Sequence, residues 1–437
     1  MSDFKQAGRI ATLPRLRCGE AAERERELVV HARRTPLVLV MPCLVTELDQ
    51  PALATMVSEL AATPYLDTVV ISLDQADADG YARALDYFRG LRLRTLVIWN
   101  DAEEVAGIIR EIEAAVLDVG PRGKGRAVWV ALGAVIAEER AEAVAFLDAD
   151  VISFERSLLT NLAYPILHPA LDFDYAKGFY ARYSDRLHGR ATRLMVRPLL
   201  QALTTVVGHH PYLEYLDAFR YPLSGEFALN ADLLRRLRVP SDWGLEVGLL
   251  FEVLRNRSSR RICQVDVADR FDHKHQQLAA GDLGGGLNRM AVDITKHLLR
   301  TLAAAGVVVP SGSFKGLQVA FQRFAEDAVA DSFAVAVFNG LDFDRHGEED
   351  AVDVFTQAFA AGCEQFLQDP LGTPAMPNWA RVLSAMPGIG DRLVGAVVPL
   401  VGLPGAAVVF DRGPPLHGDR GRGRERERRQ RQKAEEQ

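Results

Sequence analysis

The sequence predicts an α/β protein built on a mostly parallel sheet, with a helical C-terminal region. Short apolar runs at 36–41, 68–72, 95–99 and 144–148 recur through the first 150 residues. Stretches of helical length separate them. Beyond Leu287 the strand-like runs give way to helical patterning as far as about Leu367. A continuous apolar run is the mark of a strand buried on both faces. Strands that alternate with helices pair in parallel through right-handed crossovers.

The elements follow in order. Residues 1–34 are charged and weakly patterned, and read as a helical or irregular N-terminal extension. The run 36–41 ends at Pro42, and Asp49-Gln50-Pro51 opens a helix, with Asp49 as N-cap and Pro51 near its first turn. Strand 68–72, helix 79–90, strand 95–99 and helix 102–119 come next. A Gly-rich break, Gly120-Pro121-Arg122-Gly123-Lys124-Gly125, precedes a helix over 126–140, and strand 144–148 follows. After Asp150 the pattern loosens. A helix is expected at 157–167, a strand at 173–180 and a helix at 191–207. A turn at Pro222 enters a short apolar piece, followed by helices at 232–237 and 243–254 and a strand at 262–267. The expected organisation is an extension (1–34), an α/β domain (35–286), a mainly helical region (287–415) and a charged tail (416–437). The tail has nothing to bury and reads as disordered.

Composition narrows the function. At 437 residues the chain is long for one domain. Its net charge of −7 argues against a nucleic-acid binder. Cysteines at 18, 43, 263 and 363 are far apart and include no Cys-x-x-Cys, which fits a reducing cytoplasm rather than a disulfide framework or zinc knuckle. The N-terminal stretch has no apolar signal core, and the most apolar stretch, 393–410, is broken by glycines and prolines. No stable membrane insertion is expected.

The chemistry centres on Phe146-Leu147-Asp148-Ala149-Asp150. Residues two apart on a strand point the same way, so both carboxylates leave the carboxyl end of a buried strand together. In an open α/β sheet ligands bind at that end. Hard oxygen ligands suit Mg²⁺ or Mn²⁺, and such an ion suits a diphosphate. An isolated Asp-x-Asp is more often a solvated turn, so its company decides. Pro42 and Glu47 follow the first strand and Asp74 the second, at the same rim, where Glu47 and Asp74 can accept from ribose or base N–H groups or cap helices instead. Gly123-Lys124-Gly125 opens a helix, where glycines admit a ligand and the helix terminus and Lys124 favour an anion. It is not a P-loop, because Gly125 stands where a hydroxyl is required. His273 and His275 follow the last strand, and His273 with a carboxylate is compatible with the same metals. Gly225-Glu226 and Asp242-Trp243-Gly244-Leu245-Glu246 put acids beside glycines. There Trp243 either stacks on a sugar or belongs to the core, and Asp242 is a ready helix cap.

Taken in order, these motifs resemble the GT-A nucleotide-sugar glycosyltransferases, in particular the glucosyl-3-phosphoglycerate synthases, with a further likeness to the mannosylglycerate synthases. The resemblance also rests on Gly189-Arg190-Ala191-Thr192 leading into Val196-Arg197-Pro198-Leu199-Leu200. It covers roughly 120–280. It implies a Rossmann-like GT-A domain that moves glucose, or less readily mannose, from UDP or GDP to an anionic acceptor such as 3-phosphoglycerate or glycerate. The product would be a compatible solute (glucosylglycerate-type) or a glycan precursor. By that resemblance Pro42, Glu47, Asp74, Lys124, Asp148 and Glu226 bind the donor. Asp150 and His273 hold Mg²⁺ or Mn²⁺, Arg190, Thr192 and His275 bind the acceptor, and Glu246 and Asp150 are catalytic. Anomeric configuration would be retained.

The chain departs from the family at Leu44-Val45-Thr46-Glu47-Leu48, at Ser72-Leu73-Asp74-Gln75-Ala76 and at Ser224-Gly225. The first two bear on the nucleobase and the third on the sugar. Residues after 287 are additional, and either complete the acceptor pocket or make a homodimer. Two rivals use the same residues. A sugar nucleotidyltransferase would want a glycine-rich loop after the first strand, which 42–47 lacks. A catalytically altered sugar-nucleotide binder would explain the changed loops.

Overall fold

The protein is described from a computed structural model that covers residues 8–17, 20–115, 117–273, 285–373 and 375–400. Its strands are β1 (Ala11–Leu13), β2 (Leu37–Leu44), β3 (Leu66–Asp74), β4 (Arg94–Trp99), β5 (Ala143–Phe146), β6 (Tyr175–Tyr180), β7 (Phe227–Asn230), β8 (Ile262–Ala268) and β9 (Val398–Leu400). Among the described residues they form one sheet in the order β1-β8-β6-β7-β5-β2-β3-β4-β9. β7 runs antiparallel to both β5 and β6, and β9 antiparallel to β4. The other pairs are parallel. The α/β class and the mostly parallel sheet stand.

The continuous apolar runs exist because both faces are covered. Along β2, Val38 and Val40 enter the core on one face, while Leu37, Leu39 and Met41 enter the core on the other. That is the period-two alternation of a strand buried on both sides. From β2 the chain winds outward through β3 and β4, then returns to place β5 on the other flank of β2. The crevice at this reversal of strand order, outside the carboxyl ends of β2 and β5, is where such sheets bind ligands.

Several sequence expectations are corrected. β2 runs through Pro42 to Leu44 instead of stopping at Pro42. Its pairing with β5 covers only Leu37 to Val40, so Pro42 has β3 alone beside it and its missing N–H is tolerated. Asp49 is not a helix N-cap. It closes a 3₁₀ turn, Val45–Asp49, and pairs with Arg83, while Gln50 precedes the helix Pro51–Ala61. The stretch set apart as an extension supplies β1 at the sheet edge and the helix Ala21–His31, which is tied to the helix Arg156–Leu167 through Arg24–Asn161 and Glu25–Arg156.

The helices expected after Leu287 are Gly286–Ala304, Ser313–Asn339 and Arg345–Gln368, followed by Trp379–Ala385 and Ile389–Gly395. They pack against the α/β core. Trp379 stacks on Trp129, ring centres 4.5 Å apart, and its Nε1 donates to the Trp129 carbonyl at 2.7 Å. Trp129 Nε1 donates in turn to the Pro377 carbonyl at 2.8 Å. Gly133 leaves the space for this: a Cβ there would lie 2.1 Å from the Trp379 ring. No helix among the described residues is long and apolar enough to cross a membrane. Cys43, Cys263 and Cys363 are buried free thiols.

Candidate functional site

The carboxyl ends of β2, β3, β5 and β6 open into a cleft of about 940 Å³. It gathers Pro42, Glu47, Asp74, Lys124, Asp148, Asp150, Arg190, Glu226, Glu246 and His273. These positions span more than 230 residues of sequence, and they are delivered by strand ends, by the loops that follow β5 and β8, and by first turns of helices. His275 lies outside the described residues. Thr192 is buried beneath the wall that Gly189, Arg190 and Ala191 present to the cleft, with its side chain close to that of Tyr221.

The centre is a charge cluster. Lys124 is the first residue of the helix Lys124–Ala137. Its Nζ lies 2.8 Å from Asp148 Oδ1 and 3.7 Å from Glu246 Oε1. Burial alone would push this ammonium down, but Asp148 and Glu246 hold it well above the usual lysine range. Gly225 packs so closely on Asp148 that a Cβ would sit 2.5 Å from Oδ2. The close approach that this glycine permits is therefore to Asp148. Gly125 also packs rather than cradles, since a Cβ there would lie 2.2 Å from the Pro240 carbonyl oxygen.

Glu226 is 2% exposed and accepts from the Tyr180 hydroxyl at 2.6 Å. Burial, with Asp148 nearby, raises its carboxyl above the usual range against the pull of that hydroxyl. Beneath it Lys177, 1% exposed, donates to the Ser224 carbonyl at 2.8 Å. Burial lowers this ammonium to about 8 despite Glu246 and Glu226.

Asp150 and His273 face each other, with Nδ1 of His273 3.9 Å from Asp150 Oδ2. An antiparallel bridge between Val151 and His273, and the bond from Ile152 N to the Asp272 carbonyl at 2.8 Å, fix this approach. Burial works to raise the Asp150 carboxyl, but His273 and then Lys124 outweigh it and leave it below the usual carboxylate range. Asp150 Oδ1 is buried and has no hydrogen-bond partner. An orphaned carboxylate oxygen beside an imidazole nitrogen fits Mg²⁺ or Mn²⁺. No cluster of three such side chains occurs among the described residues, so the remaining coordination positions suit water and ligand oxygens.

Two ambiguities of the sequence are settled. Asp242 is not the helix cap: it accepts from Gly244 N at 2.9 Å in a turn, and Gly244 itself is the N-cap of the helix Leu245–Asn256, with no side-chain cap bond. Trp243 is not in the core; it is 38% exposed and lines the cleft. The structure also adds residues. Arg122 bridges Asp74 and Asp101. Arg182 donates to the Tyr221 hydroxyl at 2.7 Å. Arg289, Asp293 and Glu348 reach the cleft from the C-terminal helices. Glu348 takes Arg190 at 2.7 Å and Arg193 at 2.9 Å, so the region beyond 287 builds part of the wall. Arg122 stood in plain view inside the glycine-rich break; the C-terminal residues carry no local signal.

No family model matches the chain. A glucosyl-3-phosphoglycerate synthase of Persephonella marina is 41% identical over 397 residues, 91% of this chain and 98% of the relative. The chain belongs to the glucosyl-3-phosphoglycerate synthase family. A second synthase, from Methanococcoides burtonii, is 37% identical over 83% of this chain and 90% of its own length. Among solved structures, the synthase of Mycobacterium tuberculosis in complex with Mn²⁺, UDP-glucose and phosphoglyceric acid aligns with a TM-score of 0.51 at 23% identity. That alignment covers 70% of this chain and 90% of the solved one, and shows a shared fold. Of the three readings left by the sequence, the glycosyltransferase stands.

Proposed function

We propose that the chain transfers glucose from UDP-glucose to 3-phosphoglycerate, with retention of anomeric configuration and with Mg²⁺ or Mn²⁺ bound. The observation that carries this is the Lys124 ammonium shared between Asp148 and Glu246 beside the Asp150–His273 pair, at the strand reversal of a synthase-family chain. Asp148 serves the ribose, Glu226 the transferred glucose, and Glu47 and Asp74 the nucleoside end, with Pro42 against it. Asp150 and His273 would hold the cation, which screens charge on the diphosphate. Arg190 faces the acceptor's anionic groups, with Thr192 behind it.

In this scheme the bond from the anomeric carbon to the diphosphate oxygen breaks. The acceptor hydroxyl oxygen bonds to that carbon from the same face, and its proton passes to the departing oxygen. Lys124 is already aimed where that negative charge develops, and a preorganised cation there needs little reorganisation. Glu246 holds Lys124 from the acceptor side and orients the incoming hydroxyl. A cytoplasmic setting belongs to this reading and is supported by three buried free thiols among the described residues.

The test is to incubate the protein with Mg²⁺, 3-phosphoglycerate and UDP-glucose, and to follow free UDP and the product mass. A panel with GDP-glucose and glycerate ranks donors and acceptors. Binding of UDP-glucose without transfer to any acceptor would overturn the reading.

A further inference from the structure

One buried charge takes no part in the transfer scheme. Lys177, on β6, is 1% exposed and does not line the cleft. Its Nζ lies 5.8 Å from the centre of the Phe227 ring, which stacks on Phe146. An ammonium among aromatic rings gives up much of its hydration, and that loss shows in its lowered proton affinity. A methionine would fill the same space without this cost, so the charge has its reason in what it holds.

It holds the turn that enters β7. Lys177 Nζ donates to the Ser224 carbonyl at 2.8 Å. Ser224, 1% exposed, donates from Oγ to the Gly178 carbonyl at 2.8 Å. Gly178 N donates to the Glu226 carbonyl at 2.9 Å, and the Tyr180 hydroxyl to the Glu226 carboxylate at 2.6 Å. Three residues of β6 thus grip Ser224 and Glu226 on either side of Gly225. The strand register ends with Lys177 opposite Phe227, so side chains take over where β6 and β7 part. The fit has no slack: a Cβ on Gly178 would lie 3.3 Å from that of Glu226, and one on Gly225 2.5 Å from Asp148 Oδ2. Ser224 is also where the chain departs from its family, and its hydroxyl supplies the bond to Gly178.

We infer that Lys177 is a positioning residue of the transfer: through the Ser224 carbonyl, its ammonium fixes the Ser224-Gly225-Glu226 turn where Glu226 meets the glucose, and so sharpens the choice of glucose over its epimers. Tyr180 occupies Oε2 of Glu226, which leaves Oε1 to accept from a sugar hydroxyl. One oxygen distinguishes two hydroxyl orientations only if its place is fixed to a fraction of an ångström. A bond from an ionised donor is roughly twice as strong as a neutral one, which suits it to hold a turn in place. This role rests on the reading above in which Glu226 takes the glucose.

The experiment compares wild type with Lys177→Met. Binding of UDP-glucose and of UDP is measured by calorimetry with Mg²⁺, and kcat/KM with UDP-glucose and UDP-galactose. Lys177→Met should weaken UDP-glucose by roughly 10-fold or more, the scale of one hydrogen bond to a charged group. UDP, which has no glucose to meet Glu226, should bind nearly as it does to wild type. The preference for glucose over galactose should narrow, and KM for 3-phosphoglycerate should not move. A merely structural role would weaken both ligands together. The same charge can be removed without substitution by raising the pH of wild type from about 7 to about 9, across the Lys177 value of about 8. The groups facing Lys177 are Glu246, Glu226, Lys124 and Asp148, and Lys124, held far above the usual lysine range, keeps its charge over that interval. The ratio of UDP-glucose to UDP affinity should fall with it. An unchanged ratio in Lys177→Met, or a wild-type ratio level across that interval where the variant does not fold, overturns the inference. A ratio that falls in the variant while no acceptor is glucosylated sustains the positioning of Glu226 and removes the transferase reading instead.

Discussion

Asp150 gives the sharpest handle on the metal site. Its Oδ1 is buried without a partner, and its Oδ2 lies 3.9 Å from His273. Asp150→Asn preserves the shape and removes the charge that a divalent cation needs. A ligand that binds only the folded state adds about 2.7 kcal/mol of stability at one hundred times its dissociation constant. Unfolding entropy of about 2.1 cal/mol/K per residue, over roughly 400 residues, gives a Tm rise of about 3 °C. The assay is thermal unfolding with UDP present throughout, with and without Mn²⁺. Wild type should gain about 3 °C from Mn²⁺ and Asp150→Asn less than about 1 °C on the same estimate. Equal gains would place the cation elsewhere and refute the assignment of Asp150 and His273.

Three further outcomes are expected. Lys124→Met leaves Asp148 and Glu246 without their shared cation, and kcat/KM for the donor should fall about 10²–10³-fold, the scale seen when one preorganised electrostatic contact is removed; steady-state kinetics showing a fall below about tenfold would contradict the role given to it. Trp379→Ala empties a buried site against Trp129 and Gly133, and should cost about 3–5 kcal/mol in urea unfolding. Lys177 has a folded-state value near 8, below the lysine value of about 10.4, so its buried charge penalises folding at neutral pH and that penalty lifts as pH rises between the two. The stability of wild type relative to Lys177→Met should therefore increase from pH 7.5 to 9.5, and urea midpoints at those two pH values check the sign.

What the sequence disclosed follows from how local each signal is. β2, β3, β4 and β5 were readable because strands buried on both faces need continuous apolar runs. Asp148 and Asp150 were readable only through their company, Lys124 before them and Arg190, Glu246 and His273 after, since an isolated Asp-x-Asp is more often a solvated turn. β7 gave little notice of its place: four residues inserted antiparallel between β5 and β6 owe their pairing to partners about 50 and 80 residues away. β1 is three residues long, too short for any period to show. Asp49 looked like a cap by type and position, yet the 3₁₀ turn placed it one residue early, where Arg83 claims it. Glu348 sits among other acids in a long helix, and only the folded chain brings it to Arg190, 158 positions away.

Four cations of the cleft share a pattern that bears on how it binds anions. Arg122 rests on Asp74, Lys124 on Asp148, Arg190 on Glu348 and Arg289 on Asp293. In each pair the cation is the more exposed partner, and in three of the four the carboxylate is nearly buried. Taking the cation off a buried carboxylate would leave that charge uncompensated, at a cost of about 3–5 kcal/mol. A cation with donors to spare keeps its acid and adds a ligand phosphate or carboxylate, and the acid fixes where that cation sits. Anion binding here adds a partner to a placed cation. Selectivity then comes from which placed cation a ligand can meet with its acid still in place.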